Sequence, residues 1–265
     1  MREFYCMSNK DTWGQRESIR YLSILSLGII YVLHRENSIL VFLFSWVAII
    51  LLMGNARYLR VTNNLTYFLR MTFYFLPYLL PTTFFIPIYI KINSIVVICC
   101  GIAIVFFCAW LRINLKVIKV SLSDEIIAIA PRESKYTYIL RIYNTLGSSI
   151  CEEIYFRSFL IQSLNETPIA MRIVVSVLCF MLSHYILPWG KNFTRKDYIN
   201  QAIFGAVNAI LFIISDSIVP CILLHLLANS PTVAETVRCY GRHYLRKAHF
   251  DDLLIQNNSY DELEM

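Results

Sequence analysis

The chain has 265 residues, of which 57% are hydrophobic and 16% charged, and its mean hydropathy is +0.54. A soluble domain carries about 25% charged residues, so this composition excludes an ordinary water-soluble globule. The net charge of +6 reads as cytoplasmic loops facing anionic membrane lipid, not as a nucleic-acid surface.

The apolar residues come in continuous runs without period-2 alternation, which excludes a β-barrel. The runs cover residues 20–33, 38–53, 66–90, 93–111, 136–163, 170–187, 198–215 and 217–235. At roughly 20 residues per crossing, they predict an all-α, polytopic transmembrane bundle of about eight spans. The predicted order is a cytoplasmic N-terminal segment (1–19), N-terminal transmembrane helices (20–111), a cytoplasmic amphipathic loop (112–135), a transmembrane core (136–235) and a cytoplasmic tail (236–265). Pro77, Pro81 and Pro87 in the third run remove backbone donors and predict a kink there. The loop 112–135 mixes Lys116, Lys119, Asp124 and Glu125 with isoleucines, a pattern suited to the membrane interface.

Loop charge fixes the orientation. With both termini inside, eighteen basic residues fall on the inside: Arg2, Lys10, Arg16, Arg20, Arg57, Arg60, Arg112, Lys116, Lys119, Arg132, Lys135, Lys191, Arg195, Lys196, Arg238, Arg242, Arg246 and Lys247. Two, Arg35 and Lys91, fall outside. This is a strong positive-inside bias. The eight cysteines show no CxxC or other metal-type spacing. No small-residue cleavage site follows the N-terminal segment, so no cleaved signal peptide is expected. The tail Asp251 to Met265 is acidic and reads as disordered.

Ionisable residues inside apolar runs are costly and therefore functional suspects. The fifth run contains Cys151-Glu152-Glu153-Ile154-Tyr155-Phe156-Arg157. Glu153 and Arg157 stand four apart and pair on one helix face, which a purely structural ion pair explains. Glu152 lies about 100° round the helix and is left without a local partner. A desolvated carboxylate of that kind suits acid–base work. His184 closes Phe180-Met181-Leu182-Ser183-His184, and His225 opens His225-Leu226-Leu227-Ala228-Asn229. A lone buried histidine is more often a satisfied core residue. Two histidines, an asparagine and an unpaired glutamate satisfy one another best in one polar cavity, where the Asn229 amide donates to a developing oxyanion. Arg70 and Arg141 read as side chains snorkelling to an interface. Gly147-Ser148-Ser149 reads either as close helix packing or as room for a substrate strand.

The motifs EExxxR (Glu152, Glu153, Arg157), FxxxH (Phe180, His184) and HxxxN (His225, Asn229), in this order on successive runs, resemble the CPBP intramembrane proteases. That family includes the CAAX prenyl endopeptidases of the Rce1 type and the bacterial Abi-type proteins. The resemblance covers residues 145–235. It implies that Glu152 activates the attacking water while Glu153 and Arg157 brace and orient it. It further implies that His184 holds the water or shuttles its proton, and that His225 and Asn229 stabilise the oxyanion. The expected activity is an intramembrane endopeptidase acting on a membrane-anchored or prenylated, CaaX-type peptide. The expected membrane is the plasma membrane in a bacterium or the endoplasmic reticulum in a eukaryote.

A catalytic zinc on Glu152, His184 and His225 is the alternative to glutamate-activated water, although no HExxH is present. Two other functions fit the same residues. One is a non-catalytic immunity or scaffolding protein of this fold. The other is a proton-coupled transporter relaying protons through the same groups, although no inverted repeat is visible.

Overall fold

A computed structural model describes residues 10–34, 37–55, 63–84, 88–186 and 194–245. Pro87, the acidic tail and the loop residues Arg2, Arg35, Arg57, Arg60, Lys191, Arg246 and Lys247 lie outside the described residues. The described residues are helical, with no strand among them. The helices are α1 (Lys10–His34), α2 (Asn37–Asn55), α3 (Asn64–Phe84), α4 (Ser94–Ser121), α5 (Asp124–Ile129), α6 (Lys135–Glu153), α7 (Leu160–Ser163), α8 (Ile169–Ile186), α9 (Arg195–Ser215) and α10 (Val219–Tyr240). A π-helical turn, Ile154–Phe159, joins α6 to α7, and a second, Gly241–Leu245, follows α10.

The helix ends have identifiable chemistry. The side chains of Asn93, Ser123 and Ser134 accept the backbone N–H groups of Val96, Ile126 and Thr137 at the starts of α4, α5 and α6, satisfying donors that a first turn leaves orphaned. Thr194 and Asp197 form a reciprocal capping box on α9. Asp216 ends α9 in the left-handed region at φ 46°, a conformation that Asp tolerates better than most residues. Its carboxylate pairs with Lys91. The Ser217 hydroxyl donates to the Lys91 carbonyl at 3.1 Å, and Ile218 N–H donates to the Tyr89 carbonyl at 2.9 Å. These bonds tie the segment before α4 to the turn before α10.

Pro77 and Pro81 both lie inside α3. α4 runs past its apolar stretch to Ser121, and α5 then buries Ile127 against Tyr138 and Cys239. α4 and α9 are each long and apolar enough to cross a membrane. On α4, Ile95, Val97, Ile98, Ile102, Ile104 and Val105 are all exposed, a surface suited to hydrocarbon, not water.

The largest core joins α2, α3, the π turn and α8 through Phe42, Trp46, Tyr78, Tyr155, Phe156 and Phe180. Its polar tips are satisfied. The Ser45 and Tyr155 hydroxyls lie 2.9 Å apart, and Trp46 Nε1–H donates to Ser23 Oγ at 3.1 Å. A second core packs α4 and α9 on α10 through Cys99, Ala103, Ala209, Phe212 and Cys221. Between these two cores runs the polar face of α6.

Candidate active site

A cavity of about 560 Å³ opens between α3, α6, α8, α9 and α10. Its lining follows helical periodicity. Asn144, Thr145, Ser148 and Glu152 form one stripe of α6, and His225, Asn229 and Thr232 form one stripe of α10. α3 contributes Arg70, Met71, Tyr74, Phe75 and Tyr78, while α8 adds His184 and α9 adds Gln201. Four predicted site residues, Glu152, His184, His225 and Asn229, thus share one cavity. Glu153 and Arg157 lie behind its wall, both fully buried.

The helix changes pitch where the two glutamates end α6. All six residues of the π turn Ile154–Phe159 are buried. A π turn inserts an extra residue per hydrogen-bonded ring and often marks a functional site. Arg157 still reaches back to its expected partner, with Nε 3.2 Å from Glu153 Oε2. Its guanidinium carbon lies 4.9 Å from the centre of the Phe180 ring, a cation–π contact in a desolvated setting. Phe180, the first residue of the FxxxH motif, thereby covers the ion pair.

Glu153 does more than pair with Arg157. Its other oxygen, Oε1, lies 2.7 Å from His225 Nδ1. A carboxylate accepts only, so Nδ1 carries the proton and the ring orientation is fixed. The sequence expectation directed Glu153 to Arg157 alone. In the fold it bridges the two motifs, holding Arg157 with one oxygen and His225 with the other.

Glu152 is 8% exposed and faces the cavity. Its Oε2 lies 3.9 Å from His184 Nε2. That gap is too long for a direct hydrogen bond and short enough for a bridging water. His184 Nδ1 lies 2.9 Å from the Phe180 carbonyl, which can only accept. With Nδ1 turned to that carbonyl, Nε2 is the ring nitrogen that faces Glu152. Asn229 Nδ2 donates to Ser149 Oγ at 2.7 Å, and Ser149 in turn donates to the Thr145 carbonyl at 2.7 Å. This chain fixes the amide and leaves it a second N–H.

The Gly147-Ser148-Ser149 stretch resolves into three separate tasks. A Cβ on Gly147 would stand 2.6 Å from Phe75 Cζ, so glycine is what lets α3 and α6 approach. Ser148 lines the cavity, and Ser149 anchors Asn229.

Sequence reasoning missed several polar residues. Tyr78 lines the same cavity as Glu152 and is 1% exposed. Asn208 of α9 is fully buried, and its carbonyl accepts from Cys221 Sγ. Arg70 lines the cavity instead of an outer face, whereas Arg141 pairs with Glu133. The signal available for Arg70 was a charge in the interior of an apolar run.

The geometry also bears on zinc. His225 gives its Nδ1 to Glu153, which leaves Nε2 as the ring nitrogen without an assigned partner, the arrangement in which a histidine can act as a ligand. Among the described residues, no three His, Cys, Asp or Glu side chains gather as a metal would require.

Residues 134–231 match the family described as type II CAAX prenyl endopeptidase, Rce1-like. This segment is similar to the Rce1-like family. The match starts at Ser134, the N-cap of α6, and ends at Pro231 within α10. It spans all three motifs but less than half of the chain. No curated protein and no solved structure matches the chain. The Rce1-like segment thus supplies every predicted site residue, while α3, which lies outside it, supplies one wall of the cavity.

Proposed function

We propose that the chain is an intramembrane endopeptidase that hydrolyses a peptide bond in a membrane-anchored or prenylated, CaaX-type chain by glutamate-activated water. The observation that carries this reading is the convergence of Glu152, His184, His225 and Asn229 on one cavity, with Glu152 Oε2 3.9 Å from His184 Nε2.

Water held between those two atoms gives its proton to Glu152 and attacks the scissile carbonyl carbon. The carbonyl oxygen becomes an oxyanion, which the second N–H of Asn229 meets. His225, when it carries both protons, donates one to Glu153 and offers the other to the same oxyanion. Glu152 then passes its proton to the leaving nitrogen as the C–N bond breaks. Glu153 and Arg157 orient His225 and the π turn, and do not touch the substrate.

The Glu152→Gln variant tests the reading. In proteoliposomes with a prenylated CaaX peptide, cleavage falls by about 10²–10⁴-fold, the usual size of a general-base contribution, while helix content stays unchanged. Retention of the wild-type rate would rule out glutamate-activated water.

The proposed topology has eight spans with both termini cytoplasmic. Its support is the basic-residue asymmetry and the correspondence of each apolar run to a helix. The Arg70 end of the cavity then faces the cytoplasm. Reporter fusions at Met1 and Met265 are expected on the same, cytoplasmic side; opposite sides would break the eight-span order.

A further inference from the structure

Arg70 is a cation that the proposed hydrolysis does not use. It lies one residue along from Met71 on the cavity stripe of α3, and Tyr74 lines the same cavity one turn further on. Of the cavity-lining residues, Arg70 and Glu152 are the only ones drawn from arginine, lysine, aspartate and glutamate.

The spacing between these charges is readable from the helix. Tyr78 marks the level of Glu152 on α3, because the two are neighbours in the cavity. Arg70 precedes Tyr78 by eight residues, a rise of about 12 Å at 1.5 Å per residue. An extended peptide covers about 3.3–3.6 Å per residue, so the interval holds three or four residues. The wall between is lined by neutral hydrogen-bonding groups from Asn144, Thr145, Ser148, Gln201 and Thr232, which suit a peptide backbone offering both donors and acceptors.

We propose that Arg70 anchors the free α-carboxylate at the substrate's C-terminus, so that the bond three or four residues upstream is presented to Glu152. Arginine is matched to this task by its planar fork, which holds a carboxylate through two parallel hydrogen bonds. The negative end of the substrate is drawn to Arg70 and repelled from Glu152, and this sets the direction in which the chain enters. The inference rests on the endopeptidase reading and adds a specificity residue to it.

The test compares two prenylated peptides of one sequence, a free acid and its C-terminal amide, with the full chain in zwitterionic liposomes. Wild type is expected to favour the acid by about ten-fold or more in kcat/KM, the scale of a hydrogen bond to a charged group, with the difference in KM. In Arg70→Gln the acid-over-amide ratio collapses to near one, and Arg70→Lys restores part of it. Equal cleavage of acid and amide by wild type would overturn the proposal. So would a loss in Arg70→Gln shared equally by both peptides, which would mark a structural or lipid-anchoring role.

Binding to the Glu152→Gln protein separates this inference from the one beneath it. Tighter binding of the acid than of the amide, lost when Arg70→Gln is added, supports the carboxylate subsite even if no peptide is cleaved. Cleavage that depends on Glu152 but is indifferent to the terminal carboxylate removes Arg70 and leaves the endopeptidase standing.

Discussion

Two hollows of the bundle are lined by opposite kinds of side chain. α1 and α2 border an open groove of about 600 Å³ lined by Ile24, Leu25, Gly28, Ile29, Val32, Leu43, Phe44 and Val47, without one polar side chain. The cavity among α3, α6, α8, α9 and α10 has nearly the same volume and is lined mostly by groups that donate, accept or carry charge. Inside a bilayer the first kind of surface is interchangeable, because lipid tails are as apolar as leucine. The second kind must be satisfied by particular partners at particular distances. A substitution should therefore be costly in one region and nearly silent in the other, and that contrast is open to attack.

The largest structural effect is expected at Arg157. Arg157→Ala leaves Glu153 fully buried with one of its two partners removed. Breaking a buried ion pair costs about 3–5 kcal/mol. The protein should melt markedly lower, and His225 should lose its fixed orientation, so activity falls as well. An Arg157→Ala protein with unchanged melting would show that the Glu153 bridge is not what holds the two motifs together.

Much of this contrast was legible in the sequence. Each of the eight apolar runs is carried largely by a helix, because length and hydropathy decide that question locally. Glu152, Glu153, Arg157, His184, His225 and Asn229 stood out because polar groups are conspicuous in apolar runs. What stayed hidden was pairing across helices. Nothing local announces that Glu153 serves His225 as well as Arg157, or that Ser149 anchors Asn229. Serine is common in helices, and its partner lies eighty positions away. The π turn at Ile154–Phe159 has no sequence signature, since packing and not propensity selects it. Arg70 was read as snorkelling because its helix was considered without the neighbour that turns its face into a wall.

A smaller effect is expected at Gly147, where the added methyl of Gly147→Ala would stand 2.6 Å from Phe75 Cζ. Phe75 is 7% exposed and itself lines the cavity, so the ring must tilt into the space where a substrate would lie, or α3 must move away from α6. Overpacking of this kind costs about 1–3 kcal/mol. Cleavage should fall further than stability does. Trimming the ring in a Gly147→Ala, Phe75→Leu double variant should restore part of the activity, since the two changes share one contact. Equal losses in the single and double variants would mean that Phe75 is not the obstacle.

The same glycine-to-alanine change at Gly28 should do almost nothing. Gly28 lies within α1 on the apolar groove, and a Cβ built there meets no atom within 4 Å. The methyl adds apolar surface to a wall that is already apolar, so no new desolvation penalty arises. Alanine in a helix interior is favoured over glycine by about 0.8–1 kcal/mol, which acts toward slightly higher stability. Gly28→Ala is therefore expected to melt at or just above wild type and to cleave at the wild-type rate, measured beside Gly147→Ala in the same liposomes. The two variants carry one identical chemical change, so any difference between them belongs to the surroundings and not to glycine itself. If Gly28→Ala lost activity to the same degree as Gly147→Ala, the groove between α1 and α2 would have to hold something that acts on the polar cavity, and the division of the bundle into a permissive and a demanding region would fail.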